Sequence, residues 1–117
     1  MSRPSFDELS ARLSAFACER DWEQFHSPKN LAMAVAAEAG ELLEHFQWLT
    51  ESESRELPAP QRDQAALEMA DVLLYLVRLA DQLGIDLVAA GHRKIDLNAE
   101  KYPPERSRGH SRKYTDL

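Results

Sequence analysis

The chain has 117 residues, with 14 Lys and Arg against 20 Asp and Glu and a net charge of −6; this is the size of one compact domain and leaves no room for a second core. A hydrophobic fraction of 44% beside 29% charged residues excludes an intrinsically disordered chain, and the acid excess excludes a surface that coats nucleic acid. The single cysteine, Cys18, cannot close a disulfide within the chain, and no apolar leader follows Met1, so Cys18 reads as a small packing residue in a reducing, cytoplasmic protein.

Pro4, Pro28, Pro58, Pro60, Pro103 and Pro104 leave two long proline-free runs, 29–57 and 61–102, and those are where long helices fit. Ser5 with Glu8 three residues on is a capping-box pattern, and Phe6, Leu9, Leu13 and Phe16 recur at helical spacing, which predicts a first helix over 6–20 with Leu13 and Phe16 in the core. Ser27-Pro28 reads as N-cap and first helical residue of a second helix running to Trp48. Residues 50–60 are a connector with room for one short helical turn. A third helix is predicted over 61–83, stopped by Gly84. Asp86 caps a fourth over 87–101, ended by Pro103-Pro104. No strand-like alternation appears, so the class is all-α and the simplest architecture is a four-helix bundle. Residues 106–117 form a basic tail, either a frayed solvated terminus or an arm that reaches an anionic ligand.

The third helix is the informative one. Of the 20 residues from 64 to 83, 14 are apolar or aromatic, and they cover most of the circumference, so the helix is expected inside. Glu68, Asp71, Arg78 and Asp81 make it a poor membrane span. Glu68, Asp71, Tyr75 and Arg78 follow at steps of three, four and three, a single stripe along one face. The second helix repeats the device with Glu38, Glu41, His45 and Trp48. One such stripe alone is usually a solvated face. Two features favour a binding wall instead: like charges at i,i+3 disfavour a helix and have no basic neighbour on their stripe, and an exposed face needs no rings.

Four carboxylates converging from two helices cannot all stay ionised in a partly dry site without a cation. Oxygen donors without Cys, and without His in the acid pairs, favour Mg²⁺ or Mn²⁺ over Zn²⁺. The Glu-x-x-His pairs of di-iron carboxylate bundles are absent, since Glu44 follows Glu41 and Asp71 follows Glu68 at that spacing. Hard-metal carboxylates, rings for a base and cations for phosphates point to a nucleotide. Gly40, mid-helix, costs roughly 1 kcal/mol relative to Ala; close approach of a neighbouring helix is the first expected reason, and access for metal or phosphate the second.

The signatures Glu38-x-x-Glu41 and Glu68-x-x-Asp71, followed by Lys94-x-x-x-Asn98-x-x-Lys101-Tyr102, resemble the MazG-like, all-α nucleoside triphosphate pyrophosphohydrolases. The segments 19–26, 46–48, 71–75 and 111–115 resemble the dCTP pyrophosphatase branch. Residues 1–105 would be the family's domain and 106–117 its tail. The resemblance implies hydrolysis of a deoxynucleoside triphosphate to the monophosphate and pyrophosphate, with Mg²⁺ on Glu38, Glu41, Glu68 and Asp71. It also implies a homotetramer built as a dimer of dimers, with sites near subunit contacts. Ala37 stands where many members carry a further acid.

Glu41 and Glu68 are equal candidates for orienting or deprotonating the attacking water. Lys94 and Lys101, one seven-residue step apart, would meet phosphate oxygens as point charges. Trp22, Trp48 and Tyr75 are candidates for stacking on base and sugar, with a core role the alternative for each. Asn98 suits a sugar hydroxyl or base edge. His26 and Tyr102 are pocket positions by resemblance, and Arg112 and Lys113 are the tail cations for phosphate. The expected substrate is dCTP or a base-modified dCTP, in a nucleotide-pool house-cleaning role, with no nucleic-acid or membrane partner. The alternatives are the same chemistry on dUTP or another triphosphate, and a non-catalytic helical bundle that binds a partner protein.

Overall fold

Ser5 opens the first helix as its sequence predicts: its hydroxyl accepts from the Glu8 N–H while the Glu8 carboxylate accepts from the Ser5 N–H. The computed structural model describes residues 5–117. Pro4 and the start of the chain, where no apolar leader is expected, lie outside the described residues. Helix α1 spans Phe6–Glu19. Asp21, at a φ of 54°, takes the left-handed conformation that Asp tolerates, and the Gln24 side chain donates to the Asp21 carbonyl at 3.0 Å. This turn leads through a short 3₁₀ segment, Glu23–Phe25, into Ser27, whose hydroxyl caps α2, Pro28–Glu44.

Helix α2 ends earlier than its apolar pattern predicts. The chain leaves the helix at His45, and the N–H groups of Phe46 and Gln47 both donate to the Leu43 carbonyl. The physical reason lies just ahead: Thr50 and Glu53 form a second capping box that starts α3, Glu51–Arg55, so the intervening residues must turn. His45 and Trp48 therefore do not continue the stripe of Glu38 and Glu41 on a helix.

Helix α4 spans Ala59–Leu83 and stops at Gly84, which caps it at a φ of 65°, a conformation that favours glycine. Helix α2 packs extensively along α4, and α1 packs on α4 as well. Ala17, Leu31, Ala65, Val77 and Ala80 are the buried apolar residues, so the helices meet largely through small side chains. Leu67, at 72% exposure, and Met69 and Leu73 are exposed, contrary to the expectation that α4 lies inside. The period shows which positions are apolar; the chain's own helices cover only part of them. Phe16 is exposed rather than core, Cys18 is exposed rather than packed, and a Cβ built on Gly40 would meet nothing within 4 Å. No helix approach among the described residues accounts for Gly40.

The chain divides into two compact units, Met1–Gly84 and Ile85–Leu117. In the second, the Asp86 carboxylate caps α5, Leu87–Lys101, by accepting from the Ala89 N–H. Pro103 and Pro104 then begin a one-turn helix, α6, Pro104–Ser107. The tail folds back on its own unit: the Tyr114 N–H donates to the Tyr102 hydroxyl at 3.2 Å, and the two rings meet edge to face with centroids 6.0 Å apart. The described residues are helical with no strand, in agreement with the all-α class. Among the described residues, no helix is long and apolar enough to cross a membrane.

Candidate active site

Glu38 and Glu41 lie one turn apart on α2, and Glu68 projects from α4, the helix packed against it. The three each offer a carboxylate oxygen within 4.8 Å of the others. Glu38 Oε2 and Glu68 Oε1 are buried without a hydrogen-bond partner. As ionised carboxylates they have no donor between them, and two unpaired charges in that position are costly. One proton shared with Glu68 relieves this and, with Glu41's side chain, desolvation and the charges of both neighbours, pushes Glu38 up to about 7. For Glu68 the hydrogen bond with Glu38 pulls the pKa down, but desolvation, Glu41 and the charge of Asp71 together outweigh it and the net shift is upward. Orphaned buried oxygens, like charges at close range and all-oxygen donors fit a hard divalent cation.

Asp71 stands one turn beyond Glu68 on α4. It is outside the set of mutually close oxygens formed by the other three, but it lines a cavity of about 270 Å³ together with Glu38. The remaining wall is apolar and aromatic, from Leu13, Phe16, Trp22, Leu74 and Tyr75, with His26 and Arg78 supplying polar groups. The Trp22 ring meets Phe16 edge to face at 5.7 Å and His26 at 6.5 Å. Of the stripe read along α4, Asp71, Tyr75 and Arg78 line one cavity, and Glu68 completes the acid cluster beside Glu38.

The sequence places Arg78 on the stripe of the third helix but gives it no role of its own, and it does not single out Leu13, Phe16 or Leu74 for the site. Arg78 is only 4% exposed. Its Nη1 donates to Asp81 Oδ2 at 3.1 Å, its Nη2 lies 3.9 Å from Glu23 Oε1, and its Nε donates to His26 Nδ1 at 3.2 Å. Burial, then the Arg78 charge, lower the His26 pKa against the opposing charge of Glu23. The available signal was an arginine within the apolar stretch 64–83, in register with the acids.

Trp48 sits in the turn after α2, 87% exposed, and is not among the residues that line the cavity. The other predicted contacts belong to the second unit. Lys94 and Asn98 are exposed on α5, the Lys101 ammonium lies 4.8 Å over the Tyr114 ring, and Tyr102 holds the tail through Tyr114. Arg112 donates its backbone N–H to His110 Nδ1, and Lys113 precedes the 3₁₀ turn Tyr114–Asp116.

The MazG-like family model matches residues 33–117, a span that contains both acid pairs and the block from Lys94 to Tyr102. The chain belongs to the MazG-like family. Among relatives, this MazG-like chain is 47% identical to human dCTP pyrophosphatase 1 over 120 residues, which cover 97% of this chain and 68% of the human protein. It is 46% identical to the mouse dCTP pyrophosphatase 1 over 116 residues, again 97% of this chain and 68% of the relative. A crystal structure of a pyrophosphatase from Archaeoglobus fulgidus superposes with a TM-score of 0.80 at 38% identity, covering 88% of this chain and 96% of that one. The MazG-like fold of this chain thus coincides with that of a solved pyrophosphatase.

Proposed function

We propose that this chain is a dCTP pyrophosphohydrolase that releases pyrophosphate from dCTP, or from a base-modified dCTP, and leaves the monophosphate, as a nucleotide-pool house-cleaning enzyme of the cytoplasm. The observation that carries this reading is the junction of an acid cluster with an aromatic cavity: Glu38 belongs to both. One end suits the charged triphosphate with its cation and the other a flat base. The 47% identity to human dCTP pyrophosphatase 1 favours the cytosine nucleotide over dUTP.

Glu38, Glu41 and Glu68 would hold Mg²⁺, with Mn²⁺ as the alternative ion and Asp71 as the fourth carboxylate. When bound, such an ion supplies charge neutralisation on the phosphates and lowers the pKa of water. Either Glu41 or Glu68 orients the attacking water and accepts its proton. Trp22 and Tyr75 grip the base faces, and His26 offers a ring nitrogen to the base edge. Lys94, Lys101 and the tail cations Arg112 and Lys113 meet phosphate oxygens, Asn98 and Tyr102 meet the sugar, and Trp48 closes on the base from outside the cavity.

The domain would comprise residues 1–105 with 106–117 as its tail. Exposed Leu43, Leu67, Met69 and Leu73 are apolar surface of the kind that oligomers cover, which supports self-association; the family resemblance makes a homotetramer, a dimer of dimers, the proposed form. A panel of deoxynucleoside and ribonucleoside triphosphates, assayed for pyrophosphate release with Mg²⁺, tests the function. The expected ranking places dCTP or its 5-substituted forms first. Absence of release from every triphosphate overturns the reading.

A further inference from the structure

Arg78 is buried on the long helix α4, yet its two carboxylate partners, Asp81 and Glu23, are about half exposed. Ion pairs to such solvated acids contribute little, so they do not account for a guanidinium held at 4% exposure. The remaining contact is the one that faces the cavity: Nε to His26 Nδ1, 3.2 Å, between residues 52 positions apart in sequence. A guanidinium has donors and no acceptor. His26 Nδ1 must therefore accept, and the proton of the neutral ring must reside on Nε2. That nitrogen has no hydrogen-bond partner among the described residues, and both His26 and Arg78 line the cavity.

We propose that Arg78 is a positioning residue for base recognition: by occupying His26 Nδ1 it fixes the imidazole as the Nε2–H tautomer and so presents one oriented donor to the bound base. The inference rests on the nucleotide reading of the cavity. The partner on the ligand is an acceptor at the edge of a pyrimidine, a carbonyl oxygen or an unprotonated ring nitrogen. Trp22, edge to face with His26 at 6.5 Å, is a neighbouring ring that limits its rotation. A doubly protonated His26 would set N–H against N–H at Arg78, and the lowered His26 pKa agrees with a ring kept neutral. Nη1 donates to Asp81 and Nη2 stands 3.9 Å from Glu23, so the fork is oriented with Nε toward His26. A lysine at 78 could supply one donor but not that fork.

The test has a spectroscopic arm and a kinetic arm. In uniformly ¹⁵N-labelled protein without nucleotide, long-range ¹H–¹⁵N correlation is expected to show His26 as the Nε2–H tautomer, and as a tautomer mixture in Arg78→Met; an Nδ1–H ring in the wild type overturns the proposal. In dCTP hydrolysis, Arg78→Met is expected to raise KM about fivefold, the loss of one neutral hydrogen bond, with kcat within about twofold. Arg78→Lys should recover part of that loss. In a His26→Ala background the same substitution should change nothing further, because Arg78 acts through His26. An Arg78→Met effect that persists in that background, or that falls on kcat, assigns Arg78 to the scaffold and overturns the proposal. If Arg78→Met does not fold, His26→Ala alone decides: an unchanged KM overturns it. If no triphosphate is hydrolysed by the wild type, the nucleotide reading fails, while the ¹⁵N spectra still report whether Arg78 fixes the tautomer.

Discussion

Glu38 on α2 and Glu68 on α4 face one another with carboxylate oxygens within 4.8 Å, and each keeps a buried oxygen that no donor reaches. The folded chain answers by holding a proton there, with Glu38 raised from its ordinary 4.5 to about 7. Between those values the folded state binds a proton that the unfolded state has released, so this contribution to stability is present below pH 4.5 and lost as the pH rises through 7. Glu68, also raised, acts in the same direction. His26, lowered, acts oppositely at the acid end, which is why the comparison uses a variant rather than the wild-type curve alone. Metal-free Glu38→Gln, an isostere of the protonated acid, should melt with the wild type at pH 5 and above it at pH 8. Parallel melting curves for the two proteins across that range would exclude the shared proton.

The same cluster predicts how the chain responds to a divalent ion. Mg²⁺ bound at the cluster would displace the shared proton and satisfy the orphaned oxygens, so the proposed site predicts a thermal midpoint that rises by several degrees at saturating metal and returns on chelation. Glu68→Gln should lose most of that response. Differential scanning calorimetry at pH 7.5 with and without Mg²⁺ measures both. An equal rise in the variant would place the ion elsewhere.

The chain contains two tryptophans in opposite situations, which makes fluorescence a local probe. Trp22 lines the cavity, whereas Trp48 is 87% exposed in a turn. A nucleotide that enters the cavity should change the emission of Trp48→Phe, which retains Trp22, more than that of Trp22→Phe, which retains only the exposed Trp48. A signal that survives only in Trp22→Phe would move base recognition to the turn after α2.

Helix existence was legible wherever a cap carried a side-chain mechanism. Ser5 with Glu8, Ser27 with Pro28, Asp86 and Gly84 all sit where their chemistry predicts, because each satisfies or ends a backbone ladder locally. The acid pairs were legible for a related reason: a residue's face on a helix follows from its spacing, so Glu38 and Glu41, and Glu68 and Asp71, had to lie one turn apart. The end of α2 was not, since apolar periodicity continues through Phe46 and Trp48 while the Thr50 and Glu53 capping box stops the helix ahead of them. Nor was the exposure of Leu67 and Met69. Periodicity identifies an apolar face without stating whether this chain or another surface covers it. The role of Arg78 depended on a contact with His26 from a distant part of the chain, which spacing along one helix does not report.

The central claim is that the carboxylate cluster between α2 and α4 is the hydrolytic centre. Pyrophosphate release from dCTP by Glu41→Gln, at saturating Mg²⁺ and with its folding checked by circular dichroism, tests it most directly. Loss of a water-orienting or metal-holding carboxylate predicts a fall in kcat/KM of about 10²-fold or more. A folded Glu41→Gln that hydrolyses dCTP at the wild-type rate would contradict the account.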